Sequence, residues 1–319
     1  VAAEYTDNCG PVTATLDSSV FAGDDCGWTN THTYTVDDGC GNSLTCVIVD
    51  SGADTEAPSG TCPAGSTVDN VCFDDALATY PADVAGVQAA YTDNCSDPVT
   101  VSLVSSNLMG DDCSWTLIHT YSVEDDCGNS AADCVVTHSS MDTEAPMGTC
   151  PAGTDYGNVC SADAPAAPLE ADVAAAYTDN CGTVTATLDG SVLTGDDCSW
   201  TNTHTYTVMD DCGNSTTCII EDIGGDTEAP MGTCPTGSTG NAICMDDATT
   251  VITVDEAGVA AEYTDNCGVV TATLADTRVT GTDCSWTLEY EYTVEDECGN
   301  SATCVVTHTG GDTTAPTGT

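Results

Sequence analysis

The fold depends on one stretch of the chain, Trp28-Thr-Asn-Thr-His-Thr-Tyr-Thr-Val-Asp-Asp-Gly-Cys-Gly-Asn-Ser-Leu-Thr-Cys46. Threonine occupies every second position between Trp28 and Val36, and Trp, Asn, His, Tyr and Val occupy the others. A period of two is typical of a half-buried β-strand, because successive side chains point to opposite faces of a sheet. The Asp-Gly-Cys-Gly-Asn segment that follows favours a turn, so we predict that residues 45–49 pair with this strand as an antiparallel hairpin.

The stretch recurs along the chain. Its relatives begin at Trp115, Trp200 and Trp286. A second landmark, Tyr-Thr-Asp-Asn-Cys, recurs every 86 residues, at Tyr5, Tyr91, Tyr177 and Tyr263. A period of this length suits a small β-domain with its own core better than one turn of a solenoid. We predict a partial first repeat (1–57), a second (58–145), a third (146–229), and a fourth with the start of the next linker (230–319). The partial first repeat is expected to be completed by upstream sequence or by another chain.

The sequence predicts an all-β protein of tandem immunoglobulin-like β-sandwich repeats. Besides the Trp strand, alternating apolar and threonine residues predict strands at 12–16, 184–188 and 270–274, and a closing strand at 134–137. We also predict a short edge strand at Cys62-Pro63, and we favour a strand over a helix for residues 83–91. Six or seven short strands with frequent turns indicate a sandwich, with Leu16, Trp28, Tyr34, Val36 and their counterparts in its core.

The 22 cysteines predict structural disulfides and an oxidising compartment. The first repeat has four cysteines and each later repeat has six, at similar spacing, and no zinc-type Cys-x-x-Cys pairs occur. Disulfides would supply stability that the small hydrophobic core of such a domain does not provide. The predicted disulfide cysteines are Cys62, Cys72, Cys95, Cys113, Cys127, Cys134 and their repeat equivalents. Fifteen pairings are open for six cysteines, and we favour Cys62–Cys134, which would tie the first strand to the last.

The net charge of the chain restricts which molecules it can bind. The chain has 52 acidic residues and a single basic one, for a formal charge of −51. This charge excludes nucleic acid and anionic membranes as partners. No apolar run approaches the roughly 20 residues that span a bilayer, so we expect no membrane insertion in this segment. Repulsion between repeats has to be relieved by salt, by bound cations or by an extended arrangement.

Three motifs together resemble the hyalin-repeat module, in the cysteine-rich form of very long bacterial surface proteins. They are Asp54-Thr-Glu-Ala-Pro58 with the Gly-Thr-Cys-Pro that follows, Tyr-Thr-Asp-Asn-Cys-Gly, and Tyr-Thr-Val-Asp-Asp-Gly-Cys-Gly-Asn-Ser. The resemblance covers all four repeats. It implies an immunoglobulin-like fold, secretion, and a role in adhesion or in the shaft of a surface appendage. One departure is the near absence of basic residues, a feature that such modules need not share, and the family brings no catalytic residues.

Oxygen-rich loops make Ca²⁺ the candidate cofactor, although none is required by the fold. The candidate ligands in the first repeat and its linker are Asp7, Asp25, Asp37, Asp38, Asn42, Asp54 and Glu56. Calcium takes six to eight oxygen ligands in flexible geometry. The alternative is that these Asp and Asn residues are turn formers.

Other polar positions have competing interpretations. His32, His119 and His204 follow each tryptophan by four residues, and Tyr290 replaces them in the fourth repeat, which favours packing over metal ligation. His138 and His308 are expected to be exposed. The threonine row Thr29, Thr31, Thr33 and Thr35 is interpreted as an exposed or intersubunit sheet face, with O-glycan attachment and ice binding as alternatives. Asn214 lies in an N-glycan sequon.

The sequence indicates a structural protein and not an enzyme. It contains no Gly-x-Ser-x-Gly elbow, no metalloprotease helix and no phosphate loop. We predict a secreted or cell-surface segment of an extracellular filament or appendage shaft. Its main partner would be itself, through head-to-tail or β-augmented assembly. The alternative is an adhesin whose repeats bind carbohydrate or protein directly, on cell-surface glycans or on host or biofilm surfaces.

Overall fold

A computed structural model describes residues 1–318, and the chain divides into two compact units. The first unit contains Val1–Glu144 with Asn180–Gly182, and the second contains Ala145–Asp179 with Thr183–Thr319. The protein is all-β, as predicted, with 48% of its residues in strands and 11% in helices. Among the described residues, no helix has the length and apolar character that crossing a membrane requires.

Three long antiparallel strands form the main sheet of every repeat. The leading strands are Thr13–Asp24, Thr100–Asp111, Val184–Asp196 and Thr271–Thr282. The Trp strands are Gly27–Asp37, Ser114–Glu124, Ser199–Asp210 and Ser285–Glu295. The closing strands are Ser43–Gly52, Cys134–Met141, Ser215–Gly225 and Ser301–Gly310. The Trp strand lies in the middle of each sheet, so the hairpin predicted from residues 28–49 is present.

Short strands and helical turns complete the later repeats. Thr67–Asp69 and Asp155–Asn158 pair parallel with the closing strands of their repeats. Two-stranded sheets join Ser59–Gly60 to Tyr91–Thr92, Met147–Gly148 to Tyr177–Thr178, and Met231–Gly232 to Tyr263–Thr264. The α-helices are Ala76–Thr79, Val84–Gln88, Glu170–Ala174, Ala248–Val251 and Glu256–Ala260, and the 3₁₀ turns are Ala2–Glu4, Phe73–Asp75, Ser161–Asp163 and Met245–Asp247.

The core lies on the tryptophan face of the main sheet, under the short strands and helices. Trp115, Trp200 and Trp286 are each 1% exposed. The indole of Trp200 donates a hydrogen bond to the carbonyl of Val159 at 2.7 Å, and the other two indoles make the equivalent bond. Each central tryptophan is thereby fixed to the segment that covers the sheet, so this segment is part of the core and not a loose linker.

The structure differs from the sequence prediction in the covering segment. Val84–Gln88 is a helix instead of part of a strand, because the Asp83 carboxylate accepts a hydrogen bond from the Gly86 amide at 2.8 Å and Val87 is buried. The short strand predicted at Cys62-Pro63 lies earlier, at Ser59–Gly60.

The predicted core position Leu16 is 50% exposed. A bulge after this residue, between Leu16 and Ser18, shifts the register of the leading strand against the Trp strand. The same bulge recurs at the equivalent position in the other three repeats. The equivalent residues Leu188 and Leu274 pack on the cores of their repeats despite the same bulge, so the bulge does not account for the exposure of Leu16.

The first repeat has the main sheet but not the covering segment. Trp28 is half-buried and stacks on Phe21 at 5.5 Å between ring centroids. Val20, Val47 and Val49 are each 56% exposed. The residues that cover the sheet in later repeats precede Tyr91 and its equivalents, and the corresponding positions lie before Val1.

Candidate metal centre at the joints between repeats

The disulfides fall into two groups, within repeats and between them. Within repeats, the first cysteine bonds to the sixth, as in Cys62–Cys134, Cys150–Cys218 and Cys234–Cys304. The pairing favoured from the sequence, Cys62 with Cys134, is therefore present. The remaining bonds described in each unit run to the following repeat: Cys26–Cys127 and Cys72–Cys181 in the first unit, Cys160–Cys267 and Cys198–Cys298 in the second.

The sequence does not predict these cross-repeat bonds, because identical cysteine spacing in every repeat suits pairing within one repeat equally well. The Cα atoms of Cys198 and Cys298 are 5.0 Å apart although 100 residues separate them in sequence. Cys113 and Cys212 are also disulfide-bonded. Cys95 is free, contrary to the prediction, as are the repeat equivalents Cys9, Cys40, Cys46, Cys244 and Cys284.

Three aspartates converge beside the joint disulfides of the second unit. Asp226 begins the linker after the third repeat, and it is 4% exposed. Its Oδ1 accepts a hydrogen bond from the Glu228 amide at 3.1 Å, whereas its Oδ2 is buried without a hydrogen-bond partner. Burial raises the pKa of Asp226, and the nearby carboxylates of Asp265 and Asp296 raise it further. A buried, unpaired carboxylate oxygen is costly unless a cation or proton compensates it.

The fourth repeat supplies the other two carboxylates from tight turns. Oδ1 of Asp296 accepts hydrogen bonds from the amides of Cys298 and Asn300 at 2.8 and 2.9 Å. Oδ2 of Asp265 accepts from the Cys267 amide at 2.8 Å, and its Oδ1 is buried without a partner. Sequence therefore places each carboxylate by local turn chemistry, and the joint brings them together.

The first unit repeats this arrangement. Oδ1 of Asp54 accepts from the Glu56 amide at 3.1 Å, and its Oδ2 is buried without a hydrogen-bond partner. Asp125 accepts from Cys127 and Asn129 amides, each at 2.8 Å. Ligand atoms of Asp54 and Asp125 lie within 4.8 Å of each other, as do those of Asp226 and Asp296 in the second unit. Oδ1 of Asp93 is a further buried oxygen without a partner.

The donor set fits a hard cation. Sulfur atoms of Cys127 and Cys298 lie among the same groups, but both are in disulfides and offer no thiolate. Carboxylate oxygens without sulfur or imidazole ligands suit calcium or magnesium and exclude a zinc site of the thiolate type. The residues that would hold the ion are Asp226, Asp265 and Asp296 in the second unit, and Asp54 and Asp125 in the first.

Most of the candidate calcium ligands in the first repeat accept hydrogen bonds within their own turns. Asp38 accepts from the Cys40 amide at 2.8 Å and from the Asn42 side chain at 2.6 Å, and the side-chain hydrogen bond lowers its pKa. Asp37 accepts from the Gly39 amide and Asp7 from the Cys9 amide. Asp25 and Glu56 are exposed. Of these candidates, only Asp54 belongs to a cluster among the described residues, together with Asp125, the second-repeat equivalent of Asp38.

The histidines of the later repeats pack in or beside the core. His119 and His204 are buried, at 1% and 0% exposure, and Tyr290 occupies the same place in the fourth repeat. His138 and His308 are half-buried and not exposed as expected, because each accepts from the serine amide of a covering loop, Ser66 or Ser238. Burial lowers the pKa of both.

Thr31, Thr33 and Thr35 are half-buried and Thr29 is exposed. Oγ1 of Thr35 donates to the Asp17 carboxylate at 2.6 Å. The side-chain nitrogen of Asn214 donates to the Asp210 carboxylate at 2.9 Å.

Comparisons with known proteins add only distant likenesses. No protein-family model matches the sequence, and no curated protein matches it. Among solved structures, Drosophila N-cadherin EC1-4 is 11% identical with a TM-score of 0.30, covering 97% of this chain and 94% of that chain. The protocadherin gammaB7 EC3-6 cis-dimer structure is 10% identical with a TM-score of 0.33, covering 93% and 92%. The human desmocollin-1 ectodomain is 11% identical with a TM-score of 0.21, covering 97% and 73%.

Proposed function

We propose that this chain is a load-bearing segment of an extracellular filament or surface-appendage shaft. One observation carries the proposal: in the second unit, two disulfides, Cys160–Cys267 and Cys198–Cys298, bridge consecutive repeats in addition to the peptide linker. A flexible string of binding domains has no need of covalent bonds across its joints. Cystine at this density also supports a location outside the cytosol.

Covalent joints limit how far the chain can extend under force. A bond between Cys198 and Cys298 removes the 100 residues between them from the extensible length. An extended chain spans about 3.3–3.6 Å per residue, so each such loop withholds roughly 330–360 Å. A protein built this way transmits tension with little loss of repeat structure.

Calcium at the joints is part of the proposal. The buried oxygens of Asp226 and Asp265 have no compensating donor, and the whole chain has one basic residue, Arg278, which pairs with Glu289. No side-chain cation is therefore at hand in the second unit to neutralise the cluster. A divalent ion bound between the linker and the next repeat would stiffen the joint and relieve repulsion.

Single-molecule pulling of the full chain tests the load-bearing role. With disulfides intact, we expect high-force events with short gains in contour length. The loops closed by Cys160–Cys267 and Cys198–Cys298 overlap, so after reduction the two together should add roughly 450–500 Å, the extended length of residues 160–298. Long gains before reduction would show that the joints yield and would contradict the proposal.

The alternative, an adhesin that binds ligands directly, has one supporting feature. A cavity of about 500 Å³ in the second repeat is lined by Tyr80, Tyr121 and His138 beside Pro63 and Pro81. Stacked aromatic rings, here Tyr80 on His138 at 4.5 Å, can pack against an apolar sugar face. The equivalent cavity in the fourth repeat is about 280 Å³. Glycan-array binding that is lost in Tyr80→Ala would favour this function.

A further inference from the structure

At the joint between the third and fourth repeats, both disulfides involve turns that hold carboxylates of the acidic cluster. The Cys267 amide donates to Oδ2 of Asp265 at 2.8 Å, and the Cys298 amide donates to Oδ1 of Asp296 at 2.8 Å. Each cysteine follows its aspartate by two residues, so the turn that orients the carboxylate also fixes the cysteine. The sulfur of Cys298 lies within 4.8 Å of ligand oxygens of Asp226 and Asp296. The disulfides therefore adjoin the candidate metal centre.

The first of these disulfides connects the anchor of Asp226 to the turn of Asp296. The Asp226 amide donates to the backbone carbonyl of Asp197 at 2.7 Å. Cys198 is the next residue after Asp197, and it bonds to Cys298. The linker carboxylate and the carboxylate of the following repeat are therefore held together through one covalent bond.

The second disulfide ties the linker to the turn of Asp265 in the same way. The linker residue after the buried aspartate, Thr227, donates its amide hydrogen to Oδ1 of Asn158 at 3.0 Å. Cys160 lies two residues after Asn158, and it bonds to Cys267 in the Asp265 turn. The two disulfides together therefore hold all three carboxylates of the cluster in one place.

The other interactions at this cluster are weak or oppose its assembly. Burial raises the pKa of Asp226, and the two neighbouring carboxylates raise it further, because the charged groups repel one another. Oδ2 of Asp226 is buried without a hydrogen-bond partner. Two side-chain hydrogen bonds described across the joint are long, 3.3 Å from Asn300 to the Asp226 carbonyl and 3.5 Å from Asn266 to Oδ1 of Asn158. The covalent bonds are therefore what keeps the carboxylates together before a cation binds.

We propose that Cys160–Cys267 and Cys198–Cys298 control the calcium affinity of this joint, which binds the ion tightly when the disulfides are intact and weakly when they are reduced. Intact disulfides order the carboxylates in advance, so ion binding does not have to bring two repeats together. Binding free energies are reciprocal, so bound calcium makes the disulfides harder to reduce by the same factor. The inference rests on the proposed calcium at the joints and assigns that site a redox regulation.

The reduction step needs an external dithiol such as dithiothreitol. For each disulfide the dithiol gives two electrons and two protons, the S–S bond breaks into two cysteine thiols, and the dithiol closes to a cyclic disulfide.

Calorimetric titration of the full oxidised chain with calcium is the first test. Cys198→Ser/Cys298→Ser should weaken one calcium site roughly 10- to 100-fold. The matched control is Cys150→Ser/Cys218→Ser, which removes a disulfide within the third repeat and should leave the affinity of every site unchanged. Asp226→Asn in the oxidised chain identifies the site, because it should lose the same binding event. Mapping of Cys234–Cys304 in each variant checks that the fourth repeat has folded.

The reciprocal effect is the second test. In a buffer of reduced and oxidised dithiothreitol, alkylation and mass spectrometry measure the ratio of disulfide to thiol at Cys198–Cys298, with calcium or with a chelator. Calcium should shift this ratio toward the disulfide by the same roughly 10- to 100-fold. It should have no such effect in Asp226→Asn, nor at Cys150–Cys218 in wild type.

The outcomes separate this inference from the function on which it rests. Equal calcium affinity with and without Cys198–Cys298, or a disulfide ratio that calcium does not alter, would overturn the inference and leave calcium binding at the joint standing. An oxidised chain that binds no calcium would overturn both.

Discussion

The side-chain amide of Asn300 donates a hydrogen bond to the backbone carbonyl of Asp226, at 3.3 Å, across the joint between the third and fourth repeats. The same amide donates to Oδ2 of Asp296 at 2.9 Å. One asparagine thus fixes its own turn and attaches the linker to it. Asn129 does the same in the first unit, where it reaches the carbonyl of Asp54 at 3.4 Å.

Replacing Asn300 should loosen the joint. In Asn300→Ala both bonds of the amide are lost, whereas in Asn42→Ala only the bond within the turn is lost. We expect Asn300→Ala to cost about 0.5–1.5 kcal/mol more than Asn42→Ala, the usual net contribution of one hydrogen bond. Hydrogen exchange over residues 226–229 should speed up in the first variant alone. Equal effects of the two changes would mean that the contact with the linker contributes nothing.

Removing the buried charge of Asp226 should change the pH dependence of stability. Its pKa is raised in the folded state, so the folded chain holds its proton to higher pH than the unfolded chain. Its contribution to stability therefore falls as pH rises from about 4, the ordinary aspartate value, through the raised pKa. In a chelator, Asp226→Asn should melt higher than wild type, with the larger gain at pH 7.5 and little gain at pH 4.

With calcium added, wild type should melt higher than Asp226→Asn, which is the reverse of the order expected in a chelator. Added calcium is expected to raise the melting temperature of wild type and to have less effect on Asp226→Asn, because the ion binds the folded chain. Asp172→Asn, at an exposed helical position, is the matched control and should respond as wild type does. Calorimetry that detects no heat of calcium binding to wild type would contradict the metal centre.

Cross-repeat and within-repeat disulfides should differ in what they hold together. By chain entropy, loss of Cys198–Cys298 or of Cys150–Cys218 should cost up to about 4–5 kcal/mol, given their separations of 100 and 68 residues. Both Cys→Ser pairs should lower the melting temperature. Only the Cys198/Cys298 pair should increase cleavage in the 226–230 linker by a protease specific for acidic residues. Similar cleavage in both variants would indicate that the joint is held by other contacts.

Acidification should destabilise the half-buried histidine of the fourth repeat. Nδ1 of His308 accepts from the Ser238 amide at 2.9 Å, and burial lowers the histidine pKa. The unfolded chain therefore takes up the proton first, and stability is lost as pH falls through about 6.5. With calcium present, His308→Asn should show a smaller drop in melting temperature between pH 7.5 and 5.5 than wild type. An unchanged drop would assign the pH dependence to other groups.

Local patterns predicted the long strands well. The alternation of threonine with Trp28, His32 and Tyr34 predicted a half-buried strand with two unlike faces, and the following Asp-Gly-Cys-Gly-Asn favoured a turn. Prediction failed at residues 83–91, where alanine and valine have no clear period. There a single Asp83 cap and the burial of Val87 produced a helix instead.

The sequence by itself determined that the chain is a disulfide-rich, strongly acidic array of β-domains, because period, cysteine number and charge are properties of the chain alone. Only the tertiary structure decided which residues meet at the joints. Asp226, Asp265 and Cys160–Cys267 come from consecutive repeats, and identical spacing in each repeat is equally compatible with pairing inside one repeat or across two. Distance through space distinguishes these arrangements, and it is fixed by how one folded repeat packs on the next.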